Sequence, residues 1–270
     1  MRGDRVEELP AEIRDLIEKR TGLIARFQSA SGGSNANIAA TLHTADGQIF
    51  VKAARKPVDG EGPGIRSLRR EAVINPYIRE FTPRLLWHLE TKGWVALGFE
   101  CVAGRHADYS PGSPDLAVLA KVIHRLQDTS CPDVVEMRVE RRWASLACDV
   151  SAMAGDALLH TDLNPKNLLI TLAGRVHAVD WAFASRGASW VEVGQTVRWL
   201  IRAGHSPAEA EEWASQFPSW TTADPVAIDL YAQLSAERWR RHAESKGVAK
   251  VPEYVAVAQR WADHRKSRLP

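Results

Sequence analysis

The chain has 270 residues, enough to bury a large core in one domain or two, and its 45% hydrophobic and 25% charged residues are ordinary for a globular protein. Thirty-five basic against 33 acidic residues leave a net charge of +2, which gives no electrostatic reason for a nucleic-acid partner or an anionic membrane surface. Residues 1–8 are charged and lack an apolar signal core, no run is long enough to span a bilayer, and Cys101, Cys131 and Cys148 are scattered with no C-x-x-C pair, so the expectation is a reducing cytoplasm and no structural zinc.

Residues 10–20 read as a helix, with Ile13, Leu16 and Ile17 on one face and Gly22 as its stop. A strand over 23–30 leads into Ser31-Gly32-Gly33-Ser34-Asn35-Ala36-Asn37, and a second strand covers 38–43. Asp46-Gly47 is a hairpin signal, and 49–52 return as a third strand ending on Lys52. A helix is predicted over 66–78, with Glu71 inside it. A hairpin of 85–89 and 94–99, turning at Lys92-Gly93, runs into Glu100-Cys101-Val102-Ala103-Gly104-Arg105.

Beyond Gly104 the chain reads as helical apart from two short hairpins. Leu116, Leu119, Ala120, Ile123 and Leu126 form one apolar face. Ser206-Pro207-Ala208-Glu209 is a capping box, Asp224-Pro225 opens another helix, and a last helix after Pro252 ends in a basic tail, 265–268, read as a solvated helix end. Gly60-x-Gly62-x-Gly64 follows charged residues rather than a strand, so it is no dinucleotide fingerprint, and there is no P-loop motif.

The densest chemistry lies in Leu158-Leu159-His160-Thr161-Asp162-Leu163-Asn164-Pro165-Lys166-Asn167-Leu168-Leu169-Ile170 and in Val176-His177-Ala178-Val179-Asp180-Trp181. Each is an apolar strand leading to acids or amides. Asp162 offers a carboxylate able to face a hydroxyl, while Asn167 and Asp180 are oxygen donors of the kind a hard cation such as Mg²⁺ takes.

The spacing His160-x-Asp162-x-x-x-x-Asn167 followed by Asp180-Trp181 resembles the aminoglycoside phosphotransferase and choline kinase family, whose loop runs roughly H-G-D-x-x-x-x-N; Thr161 stands where glycine is usual. The resemblance covers nearly the whole chain. It implies an α+β, bilobal, protein-kinase-like fold, with an antiparallel sheet plus helix in an N-terminal lobe (1–103, hinge included) and a mostly helical lobe over 104–270. It implies ATP or GTP and Mg²⁺ as cofactors and a small-molecule hydroxyl as the other substrate; charge and hydropathy give the expectation of no nucleic acid and no membrane as partners. By the same resemblance Asp162 is catalytic and Asn167 and Asp180 are metal ligands. Ser31, Gly32, Gly33, Ser34 and Asn35 form the phosphate-covering loop, Lys52 holds phosphates and is positioned by Glu71, and the main chain of Glu100 and Val102 meets the adenine edge. His160 is a structural anchor of the loop.

Family members recognise their acceptors through C-terminal helices, commonly with acids that bind amino groups; Glu192, Glu209, Glu211, Glu212, Asp229 and Glu237 are the candidates here. The family's G-D-P-x-x-D-L-A becomes Gly187-Ala188-Ser189-Trp190-Val191-Glu192-Val193-Gly194, which loses the first acid and places Glu at the second. Three readings stand: a kinase that modifies an antibiotic hydroxyl (aminoglycoside or basic peptide) and so a resistance enzyme, a metabolic kinase for a sugar, amino alcohol or nucleoside, and a nucleotide-binding pseudokinase module. The complete set Lys52, Asp162, Asn167 and Asp180 argues against the third.

Overall fold

A computed structural model describes residues 10–30, 37–57, 61–245 and 251–268. The fold is protein-kinase-like and divides into two compact units. The first comprises Met1–Arg105 with Leu169–Phe183, and the second His106–Leu168 with Ala184–Pro270.

In the first unit α1 (Ala11–Thr21) precedes β1 (Ile24–Ser29), β2 (Ile38–Thr44) and β3 (Gly47–Arg55); α2 (Pro63–Ile74), β4 (Leu85–Glu90) and β5 (Trp94–Glu100) follow. The strands make an antiparallel sheet in the order β1-β2-β3-β5-β4. Alternation on β5 explains why the whole strand is apolar. Trp94 and Ala96 pack with Ile13 and Ile17 of α1, while Val95, Leu97 and Phe99 pack with Ile65 and Leu68 of α2. Val51 and Ala53 of β3 belong to the α1 side, so Lys52 between them points to the side that α2 covers. Gly98 is required where it stands, since a Cβ there would lie 2.1 Å from the Trp87 ring.

Helix α2 differs from the predicted 66–78. It starts at Pro63, whose fixed φ suits a first helical position, and ends at Ile74, with a 3₁₀ turn over Asn75–Tyr77. Pro76, lacking an N–H, accounts for the early stop. Asn75 is buried there, donating to the Pro83 carbonyl and accepting from Leu85 N–H.

Onward in the chain come β6 (Gly104–His106), α3 (Asp115–Gln127), β7 (Ala157–Leu159), β8 (Leu168–Thr171), β9 (Val176–Ala178) and β10 (Ser185–Gly187). A small sheet runs β6-β8-β9, and β10 pairs antiparallel with β7. Gly104 permits a close approach, because a Cβ on it would sit 2.8 Å from the Ile170 carbonyl oxygen.

The second unit is completed by α4 (Trp190–Arg202), α5 (Pro207–Ala214), α6 (Pro218–Thr221), α7 (Pro225–Ser245) and α8 (Val251–Lys266). Its core is aromatic: Tyr231 of α7 meets Trp143, Trp190 and Trp261 edge-on at 5.1, 5.6 and 6.0 Å between ring centres. Between α3 and β7 the expected helical character gives way to turns and short 3₁₀ pieces at Glu140–Arg142 and Ser151–Met153. The basic tail is also not simply solvated. The Arg265 side chain is 11% exposed and pairs with Glu211 at 3.1 Å and Asp229 at 2.5 Å. Among the described residues no helix is long and apolar enough to cross a membrane.

Candidate active site

Two half-sites carry the residues singled out from the sequence, one in each unit. In the first unit, Lys52 Nζ donates to Glu71 Oε1 at 2.8 Å and Oε2 at 2.9 Å, and to Asp180 Oδ1 at 3.2 Å. Burial works to lower the Lys52 pKa, but Glu71 and then Asp180 outweigh it and hold the ammonium above the usual lysine range. A cation on two carboxylates suits a phosphate site. It stays charged, and incoming phosphate oxygens can take over from one carboxylate while the other keeps the side chain in place.

Asp180 has φ +67°, a left-handed backbone that turns its side chain out of the strand line. Trp181 behind it is buried, donates from Nε1 to the Ala178 carbonyl at 2.9 Å, and packs on Phe81 with ring centres 6.1 Å apart. The short turn Trp181–Phe183 packs against α2, the helix that carries Glu71.

Glu100 continues β5: its N–H donates to the Arg84 carbonyl, and its carboxylate pairs with Arg84. Val102 lies beyond the strand, with no main-chain hydrogen bond to another described residue. Ser31, Gly32, Gly33, Ser34 and Asn35 lie outside the described residues.

In the second unit, β7 delivers His160, Thr161 and Asp162. His160 is fully buried, and its Nδ1 accepts the Asp162 N–H at 3.3 Å. Asn167 Nδ2 donates to the Asp162 carbonyl at 2.9 Å and to Asp162 Oδ2 at 3.1 Å, closing the loop on itself. With the amide nitrogen spent this way, the Asn167 carbonyl oxygen is left as a donor of the kind a hard cation takes. Asp162 is half-buried, and its carboxylate is oriented by Asn167.

Sequence reasoning missed the clamp on Thr161. This residue has φ +65°, rare for a β-branched side chain and native to the glycine it replaces. Arg142 donates to Thr161 Oγ1 at 2.8 Å and to Ser185 Oγ at 2.6 Å, while the Thr161 N–H donates to Glu192 Oε2 at 2.9 Å. Glu192 is therefore a loop anchor, fully buried and pushed up to about 7 by that burial, against hydrogen bonds from the Thr161 and His160 main chain. The glutamate in the altered Gly187-to-Gly194 segment was a signal for this; Arg142, in a stretch without periodicity, carried none.

The other acids considered for acceptor binding are occupied, apart from the exposed Glu212. Glu209 closes the capping box with Ser206. Glu211 accepts from Trp261, Arg265 and Arg268, Asp229 pairs with Arg265, and Glu237 pairs with Arg240 and Arg241.

The fold and the arrangement within each unit are similar to those of phosphotransferases that act on small molecules. Residues 103–226 match the model of the phosphotransferase enzyme family, and the resemblance to aminoglycoside phosphotransferases and choline kinases stands. Among solved structures, the choline kinase LicA from Streptococcus pneumoniae is similar at 14% identity, covering 95% of this chain and 100% of its own, with a TM-score of 0.64. An aminoglycoside phosphotransferase APH(4)-Ia in complex with ADP and hygromycin B matches at 11% identity over 96% and 100% of the two chains, with a TM-score of 0.58. A microcompartment-associated aminopropanol kinase matches at 13% identity over 90% and 94%, also at 0.58. At these identities the likeness is one of fold. A comparison with curated protein sequences returns no match.

Proposed function

We propose that the protein transfers the γ-phosphate of ATP to a hydroxyl of a small molecule. The observation that carries this reading is the Lys52 ammonium held by both Glu71 and Asp180. Lys52 binds the α- and β-phosphates and Glu71 fixes its position, with the main chain at Val102 meeting the adenine edge. Asp162, oriented by Asn167, aligns the acceptor hydroxyl for in-line attack and takes its proton late. Asn167 and Asp180 each carry an oxygen donor of the kind that would hold Mg²⁺, and that cation would neutralise charge on the transferring phosphoryl group. Residues 31–35 are assigned to cover the phosphates.

For the acceptor, the antibiotic reading needs acids free to seat amino groups. Glu209, Glu211, Asp229 and Glu237 are already engaged within the second unit. This favours the metabolic alternative, a kinase for a sugar, amino alcohol or nucleoside, over an aminoglycoside, and within it the acceptors without an amino group. The test is incubation with MgATP and a mixed acceptor panel, followed by mass spectrometry for a phosphoryl gain, with Asp162→Asn as control. One product absent from the control supports the reading; product formation by Asp162→Asn at full rate overturns the role of Asp162. Raised drug tolerance in a sensitive host expressing the protein would reverse the choice of acceptor.

A further inference from the structure

The second unit contains cations without counter-charges. Arg198 on α4 and Arg238 on α7 have no hydrogen-bond or ion-pair partner among the described residues, and Arg198 Nε is buried. The Arg238 guanidinium lies 5.1 Å from the centre of the Trp143 ring, and burial and the neighbouring Arg198 both push its pKa down. Arg238 is exposed and Arg198 half-buried, so both can meet a ligand from solvent while neither has a protein counter-charge among the described residues.

Next to them are donors equally without acceptors. Tyr231, two helical turns before Arg238, is fully buried and its hydroxyl has no partner. Trp143 Nε1, on the ring beneath Arg238, is likewise buried and unpartnered. A buried donor left unmade costs about 1–3 kcal/mol, so such a concentration calls for an explanation. No carboxylate reaches these donors: Glu192 takes the Thr161 N–H on Oε2 and Glu140 faces Arg138 at 4.0 Å with Oε1, while Glu192 Oε1 and Glu140 Oε2 are themselves buried without a partner.

We propose that Arg198, Arg238 and Tyr231 form a seat for an anionic group, a carboxylate or phosphate, carried by the acceptor. Arginine suits such groups because its fork of N–H donors matches their oxygens. The seat is tied to the catalytic loop through Arg142, which precedes Trp143 in the chain and whose guanidinium holds Thr161, the residue before Asp162. The acceptor is then a hydroxy acid or a phosphorylated hydroxy compound, in keeping with the neutralised acids on the same helices. This specifies the substrate class of the phosphotransfer reading and rests on it.

The test is a calorimetric titration of the full chain, saturated with Mg²⁺ and a non-hydrolysable ATP analogue, with inorganic phosphate and separately with citrate. Binding of either probe, weakened about tenfold or more by Arg198→Gln and by Arg238→Gln and partly restored by lysine at either position, is the expected result. The stronger probe tells phosphate from carboxylate. Tyr231→Phe separates a ligand role from a structural one: removing an unpartnered buried hydroxyl leaves stability unchanged or raised, whereas loss of a ligand contact weakens anion binding. No binding of either probe, or binding indifferent to all three substitutions, overturns the seat. Failure of the analogue to bind is a separate result that undoes the phosphotransfer reading; the same anion titration without the analogue then decides the seat by itself.

Discussion

Thr161 sits in a backbone conformation that costs an L-residue about 1–2 kcal/mol, and it is kept there by Arg142 and Glu192. Thr161→Ala keeps the strain and loses the Arg142 hydrogen bond, so it should destabilise by about 1–3 kcal/mol. Thr161→Gly loses the same bond but relieves the strain, so urea unfolding should find it the milder of the two. Glu192 adds a pH dependence. Its folded value of about 7 lies above its ordinary 4.5, so between those values the unfolded chain has released a proton that the native chain still holds. Stability should therefore fall as pH rises through that window, by about 3 kcal/mol in all. Unfolding of the wild type and Glu192→Gln at pH 5 and pH 8 checks this; the glutamine variant should show a flatter response. At Asp162 the effect is on rate alone: Asp162→Asn should lower kcat by about a thousandfold or more with nucleotide binding and melting temperature nearly unchanged.

Strand β3 and helix α2 were legible because their patterns are local. Period-two alternation fixes Lys52 on the side of the sheet opposite Val51 and Ala53, and Glu71 lies on the buried face of an amphipathic helix. Their pairing follows once helix and sheet face each other. Replacing one partner alone, as in Glu71→Leu, leaves a nearly buried ammonium with only Asp180 and should cost about 3–5 kcal/mol; Lys52→Met with Glu71→Leu should recover most of that while remaining inactive. Thermal melts and nucleotide binding on the two variants separate stability from function. The bounds of α2 were less legible, since Pro63 and Pro76 act on backbone geometry rather than on hydrophobic pattern. Turn handedness at Thr161 and Asp180 was not legible, because nothing in a threonine or an aspartate announces a positive φ. Arg142 and the Arg198–Arg238 pair escaped for a related reason: their significance lies in long-range neighbours, which leave no local signature.

At the scale of the molecule, the second unit depends on its last helix. Glu211 is nearly buried and takes hydrogen bonds from Trp261, Arg265 and Arg268, all on or just beyond α8. A chain ending before Arg265 leaves that carboxylate without its counter-charges and should be destabilised by several kcal/mol, read as a lowered denaturation midpoint. Arg265 is thus a packed component of the fold, while residues 266–268 are exposed, a difference that composition alone did not reveal. The first unit is interrupted in the chain, its final portion being Leu169–Phe183. During synthesis, Lys52 and Glu71 leave the ribosome long before Asp180 exists, and the whole segment with Asp162 and Asn167 emerges in between. Until then a nascent chain has an ammonium matched to one carboxylate and a sheet without Trp181 against α2, so the first unit acquires its finished form only after the segment with Asp162 and Asn167 has been made.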